Sequence, residues 1–184
     1  SDADVSAWYH ESLDFVIEKG LFEGVSADRF APNGQMTRAM FAVVMARLEQ
    51  SAGRDVSGRT NPFTDVSQGS WYEEGVSWAS DAGIINGIGG GLFAPDKNIT
   101  REQLASMMYR YAKHLNLDTS VSGGTPAFTD ASDISSYAED AISWAYENDI
   151  MTGKDGNRID PSGSASRAEV AAVMMRFSKL IEDK

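Results

Sequence analysis

The sequence predicts an all-α protein with pseudo-threefold character, built from three copies of one helix–loop–helix unit. Three observations carry this. The segment FEGVSADRFAPNGQMTRAMFAVVMARL aligns without a gap on INGIGGGLFAPDKNITREQLASMMYRY, and TGKDGNRIDPSGSASRAEVAAVMMRF follows with looser wording. Within these segments Arg38, Arg101 and Arg167 recur at offsets of 63 and then 66 residues. Repetition on this scale ranks ahead of any other organising signal. Finally, two helices bury too little apolar surface to be stable alone, so the three units must share one core.

The units run over 1–52, 63–118 and 128–184, joined by SAGRDVSGRTNP and NLDTSVSGGTPA, stretches rich in Ser, Gly and Thr. The first helix of each unit presents Leu13, Phe15 and Val16, then Val76, Trp78 and Ala79, then Ile142, Trp144 and Ala145. Gly20 and Gly83 are placed to end it as left-handed caps, and Asp149 takes that place in the third unit at some conformational cost. The second helix carries Phe41, Val44, Met45 and Leu48, repeated as Leu104, Met107, Met108 and Tyr111, and as Val170, Val173, Met174 and Phe177. That is the i, i+3, i+4, i+7 stripe of one helical face. Strand content is expected to be minor.

Each second helix opens on Thr37, Thr100 or Ser166, hydroxyls suited to the N-cap. Thr100 with Gln103 and Ser166 with Glu169 complete a capping box, and Met40 leaves the first unit with half of one. The arginine that follows is anomalous, because the positive end of the helix dipole favours an acid there. Two explanations stand side by side. The guanidinium pairs with a recurring carboxylate, Asp4, Asp65 or Asp130, or it joins the free amides of the helix start in receiving an external anion.

Other features bound the function. A net charge of −11 excludes a general nucleic-acid binder. Cysteine is absent, and no apolar run is long enough to span a membrane. The chain opens SDADV, with no signal-peptide pattern, as a mature product or fragment would. GIGGGLFAP lacks the Lys-Ser/Thr and strand–helix setting of a nucleotide loop. DASDISSYAED and KDGNRID miss the spacing of calcium loops. His10 and His114 do not recur and have no metal-spaced partners, so neither metal nor cofactor is expected. No nucleophile–base pair or carboxylate pair stands out, so no catalysis is expected. Gly24, Gly87 and Gly153 share one position, which calls for a special backbone conformation or close approach of a ligand. Trp78 and Trp144 belong to the core, whereas Trp8 and Trp71 come at the helix entry, with Ser136 read as the third counterpart.

The order Asp-Val, Trp-Tyr, helix, Gly-Ile/Leu, Phe-x-Pro, Ile-Thr-Arg, clearest in FTDVSQGSWYEEGVSWASDAGIINGIGGGLFAPDKNITREQLASMMYR, resembles the S-layer homology repeat, and three in tandem resemble a complete trimer. The resemblance covers nearly the whole chain. It implies a three-prong spindle around a central three-helix bundle, with grooves between adjacent prongs. It also implies a secreted module at the bacterial cell wall or S-layer. Its partner would be a secondary cell-wall polysaccharide linked to peptidoglycan and ending in a pyruvate-ketal amino sugar; other S-layer subunits would be met through regions outside this chain. On that basis the ketal carboxylate meets Arg38, Arg101 or Arg167, and Asp4, Asp65 and Asp130 contact hydroxyls or orient the groove. Backbone near Gly24, Gly87 and Gly153 assists, and Trp8 or Trp71 packs on the sugar. Arg101 and Asp65 are the principal candidates. In the first unit Asp2 stands where Phe63 and Phe128 do; the third has Ile159-Asp160-Pro161 for Phe-Ala-Pro and lacks the Trp, so its groove is the one expected to have lost binding. The competing readings are an all-α repeat scaffold for a protein or peptide, and a glycan-processing enzyme.

Overall fold

Among the described residues six helices carry the fold: α1 (His10–Glu18), α2 (Arg38–Ser51), α3 (Glu73–Asp81), α4 (Arg101–His114), α5 (Glu139–Glu147) and α6 (Arg167–Glu182). Two 3-10 turns, Ala131–Asp133 and Ser136–Ala138, lead into α5. This computed structural model describes residues 4–26, 29–124 and 126–182. Asp2 and the extreme ends of the first and third units lie outside them. Among the described residues the only β pairing is isolated bridges, and the protein is all-α as expected.

The helix boundaries follow the local chemistry read from the sequence. Thr37 Oγ1 accepts from the Met40 amide at 3.2 Å, half a capping box. Thr100 and Gln103 form a full one. Ser166 and Glu169 form another, with Ser166 N donating to Glu169 at 2.7 Å and Glu169 N returning to Ser166 Oγ at 3.2 Å. The short helices end on left-handed residues, Gly20 (φ 67°), Gly83 (φ 70°) and Asp149 (φ 54°).

The packing pairs cross the repeats. The two helices of one unit do not pack on each other; instead α3 packs on α2, α5 on α4, and α1 closes the circle on α6. Each short helix thus covers the long helix of the preceding unit, and one continuous core results. Trp78 and Trp144 lie inside it, as do Phe41, Tyr111 and Phe177.

The long helices are tied at both ends. Just before them, three backbone hydrogen bonds run head to tail in a ring: Met36 N to Ala165 O (3.0 Å), Ala165 N to Ile99 O (3.0 Å), and Ile99 N to Met36 O (2.9 Å). At the far end Tyr111 of α4 donates to Glu49 of α2 at 2.6 Å and lies 5.4 Å, centroid to centroid, from Phe177 of α6. Glu49 is only 2% exposed, and Arg54 Nε reaches it at 2.7 Å. A buried carboxylate persists only when partnered in this way.

Candidate functional site

The three recurring arginines are buried, at 4, 5 and 7% exposure, and each reaches out of its own unit into the next. Arg38 donates from Nε to Phe93 O and from NH2 to Asn86 O, both at 2.9 Å, and from NH1 to Gln103 Oε1 at 3.3 Å. Arg101 repeats this on Ile159 O (2.6 Å), Thr152 O (2.9 Å) and Glu169 Oε1 (3.0 Å). Arg167 donates to Phe30 O and Glu23 O, both at 2.7 Å, closing the circle. Only a planar fork with several fixed donors can hold two separated loop carbonyls at once. The cation stands at the positive end of a helix because it staples the following unit's loop. Burial pushes the Arg38 and Arg101 pKa down, and for Arg101 the carboxylates of Glu169 and Asp160 oppose that shift.

The expectation of free helix-start amides is corrected. The first two amides of each long helix already donate to backbone carbonyls of the next unit. Arg38 N and Ala39 N donate to Lys97 O and Pro95 O, Arg101 N and Glu102 N to Gly163 O and Pro161 O, and Arg167 N and Ala168 N to Gly34 O and Pro32 O. The third amide is taken by the capping hydroxyl. An incoming anion meets no unused amide at these positions.

Among the described residues no direct pair joins Arg38, Arg101 or Arg167 to Asp4, Asp65 or Asp130 either. Asp65 accepts from Phe93 N at 2.8 Å and Ala94 N at 2.7 Å, and Asp130 accepts from Ile159 N and Asp160 N, both at 2.8 Å. These carboxylates hold Ala94 and Asp160 in left-handed backbone, φ 60° and 55°. Asp4 differs: it is exposed and accepts from Ser6 N and Oγ within its own turn. The glycine requirement comes from the chain itself. A Cβ at Gly87 would stand 2.6 Å from Leu92 O and 2.9 Å from Phe63 Cε1. Gly153 meets Phe128 in the same way, and Gly24 meets the backbone of Ser26 and Arg29.

Among the described residues two open grooves border buried arginines. One, about 500 Å³, is lined by Trp8, Arg101, Gly153, Lys154, Glu169 and Arg176 among others. The second, about 340 Å³, includes Arg38, Gly87, Ile88, Gln103, Arg110 and Tyr137 in its wall. Each takes residues from all three units, so a groove is not the property of one repeat. Arg101 and Asp65, the principal candidates, serve different grooves: Asp65 shapes the loop of the Arg38 groove, and Asp130 that of the Arg101 groove. Arg167, Gly24 and Trp71 line neither, though Trp71 is 64% exposed.

Two features escaped the sequence reading. Tyr137, not Ser136, is the counterpart of Trp71, because it stands two residues before its helix, as Trp8 and Trp71 do. DASDISSYA, from the aspartate to the residue before that helix, is one residue longer than DVSQGSWY, so counting from the aspartate slips by one. A second recurring arginine, nine residues after the first, donates to a carbonyl of its own unit: Arg47 to Leu21 O, Arg110 to Ile84 O and Arg176 to Ile150 O. Its threefold recurrence was there to be read.

Fold and site together define a closed three-repeat helical protein with arginine-backed grooves where repeats meet. The chain belongs to the S-layer homology domain family, which it matches three times, at residues 1–42, 62–105 and 127–171. It is 32% identical over 174 residues to an endoglucanase of Bacillus sp. (strain KSM-635), covering 95% of this chain and 18% of that protein. It is 29% identical over 180 residues to the S-layer protein sap of Bacillus anthracis (97% of this chain, 21% of that protein). It is 28% identical over 159 residues to a cellulosome-anchoring protein of Acetivibrio thermocellus (84% and 34%). The chain spans less than a fifth of the endoglucanase, so the likeness lies outside most of that enzyme. No described helix is long and apolar enough to cross a membrane.

Proposed function

We propose that this chain is a non-covalent anchoring module that holds a secreted protein at the bacterial cell wall by binding an acidic terminal sugar of a secondary cell-wall polysaccharide. The ligand is the pyruvate-ketal amino sugar of a peptidoglycan-linked glycan, seated in the grooves between repeats. One observation carries the reading: the Arg38 groove presents two arginines, Arg38 and Arg110, with no carboxylate among its lining residues. Arg38 is locked by its loop carbonyls, so little side-chain entropy remains to be lost when an anion arrives. Arg110 is half-buried and Tyr137 half-exposed, a cation and an aromatic face of the kind a sugar acid needs. The relatives support it, since one is an S-layer protein and one a cellulosome-anchoring protein. Both grooves set arginines beside apolar side chains, a pairing that suits a sugar acid, with its carboxylate and its ring face, better than a purely apolar peptide.

Calorimetric titration with cell-wall polysaccharide fragments, native and with the pyruvate removed, tests this. Binding should require the pyruvate and weaken about tenfold in Arg110→Gln, the loss expected for one charged contact. Equal binding of both polymers would overturn the reading.

A further inference from the structure

Of the positions at which the two grooves differ, one touches the arginine itself: it lies two residues after the recurring arginine, on the wall that faces the preceding unit's guanidinium. In the Arg38 groove that residue is Gln103, whose Oε1 accepts from Arg38 NH1 at 3.3 Å. In the Arg101 groove it is Glu169, whose Oε1 sits 3.0 Å from Arg101 NH1 and 3.3 Å from Lys154 Nζ. Lys154 is held from the other side by Asp160 at 2.8 Å. Total charge does not separate the grooves. The lining of the first has two cations and no carboxylate; the second has four cations (Arg101, Lys154, Arg158, Arg176) against Asp155 and Glu169. What differs is who already occupies the arginine.

The geometry points to Glu169 and Gln103 as the residues that set which groove takes an anionic ligand: Gln103 leaves the Arg38 groove open to a carboxylate, and Glu169 acts in the Arg101 groove as a built-in competitor. This rests on the glycan reading above. An incoming carboxylate in the Arg101 groove meets a like charge beside the guanidinium it seeks, and it must displace or share a partner held by two cations. In the Arg38 groove it meets a neutral amide. The exchange is sterically conservative, because both residues also close the capping box of their own helix. The Arg38 groove is therefore the primary carboxylate seat.

The test uses the whole chain, nitrogen-labelled, titrated with a synthetic pyruvate-ketal N-acetylhexosamine glycoside and with its neutral methyl ester. The Gly87 amide reports the Arg38 groove; the Gly153 amide and the Trp8 indole report the Arg101 groove. Gly87 should saturate at about tenfold lower sugar concentration than Gly153 and Trp8, the size of effect expected for one nearby like charge in a partly desolvated site. Glu169→Gln should bring the two grooves together, Gln103→Glu should weaken the Gly87 response by a similar factor, and the ester should show little preference between them. Equal dissociation constants in the wild type, or swaps that leave both unchanged while binding persists, would sink the inference and leave the glycan reading standing. Silence at both grooves would remove the glycan reading and this inference with it. Thermal unfolding of each variant confirms that the capping box survives the exchange.

Discussion

Asp65 and Arg38 grip the same residue from opposite sides. The carboxylate takes the Phe93 amide at 2.8 Å, and the guanidinium of the preceding unit takes the Phe93 carbonyl at 2.9 Å. Asp130 and Arg101 do the same to Ile159. The acid and the base are coupled through one buried residue of a loop without touching each other.

That coupling is measurable. Asp65→Asn and Arg38→Gln should each cost about 2 kcal/mol of unfolding free energy, since hydrogen bonds to charged groups in part-buried sites are worth roughly that much. Together they should cost less than the sum by at least about 0.5 kcal/mol. Chemical denaturation of the four proteins in the cycle gives the answer, and strict additivity would show that the loop does not transmit.

Arg101→Lys keeps the charge and loses the fork. One ammonium cannot span the Ile159 and Thr152 carbonyls while pairing with Glu169, so the substitution should destabilise by about 3 kcal/mol, close to the effect of Arg101→Gln. Melting temperatures of the two variants decide it; a lysine variant as stable as the wild type would mean that charge alone suffices.

Asp149 ends α5 at φ 54°, where its two counterparts are glycines. Asp149→Gly should raise stability by up to about 1 kcal/mol, the strain of a left-handed residue with a side chain less the entropy gained by the unfolded chain. Denaturant midpoints at an unchanged slope would show it.

Acid should unfold the protein through Glu49 and Glu169. Burial raises the pKa of both, but hydrogen bonds outweigh it: from Arg54 and Tyr111 at Glu49, and from Ser166, with the charge of Arg101, at Glu169. Their folded pKa values lie below the ordinary carboxylate value. Their contribution is complete above the unfolded pKa and is lost as pH falls through the folded one, a window below about pH 4. Thermal unfolding followed from neutral to acid pH should fall in that window, and Glu49→Gln should flatten the fall. An unchanged profile in that variant would assign the acid response elsewhere.

Much of the fold was legible because it depends on neighbours in sequence. The stripe from Phe41 to Leu48, the boxes at Thr100 and Ser166 and the left-handed Asp149 are all local patterns. Partner choice was not legible. The stripe of Val76 and Trp78 says that α3 must be buried but not that α2, of another unit, buries it. The helix-start amides looked free because their acceptors, such as Pro95 O for Ala39 N, lie in another unit's Phe-x-Pro turn, and nothing local to that motif says which helix it caps. The site was half legible. The recurrence of Arg38 and Arg101 marked the grooves, but burial of their guanidinium groups against loop carbonyls depends on tertiary contact. Arg110 and Arg176 were overlooked because each sits inside a helix stripe read only for its apolar members.

The head-to-tail ring of Met36, Ile99 and Ala165, closed by α1 on α6, has a consequence for how such chains vary. A solenoid can gain or lose a repeat because each copy contacts only its neighbours along an open line. Here the line bites its own tail. A fourth copy would have no vacancy to enter, and a pair of copies would leave a donor at one break and an acceptor at the other. Copy number is therefore a property of the geometry, which leaves the joins and the groove walls as the places where a change does not break the ring.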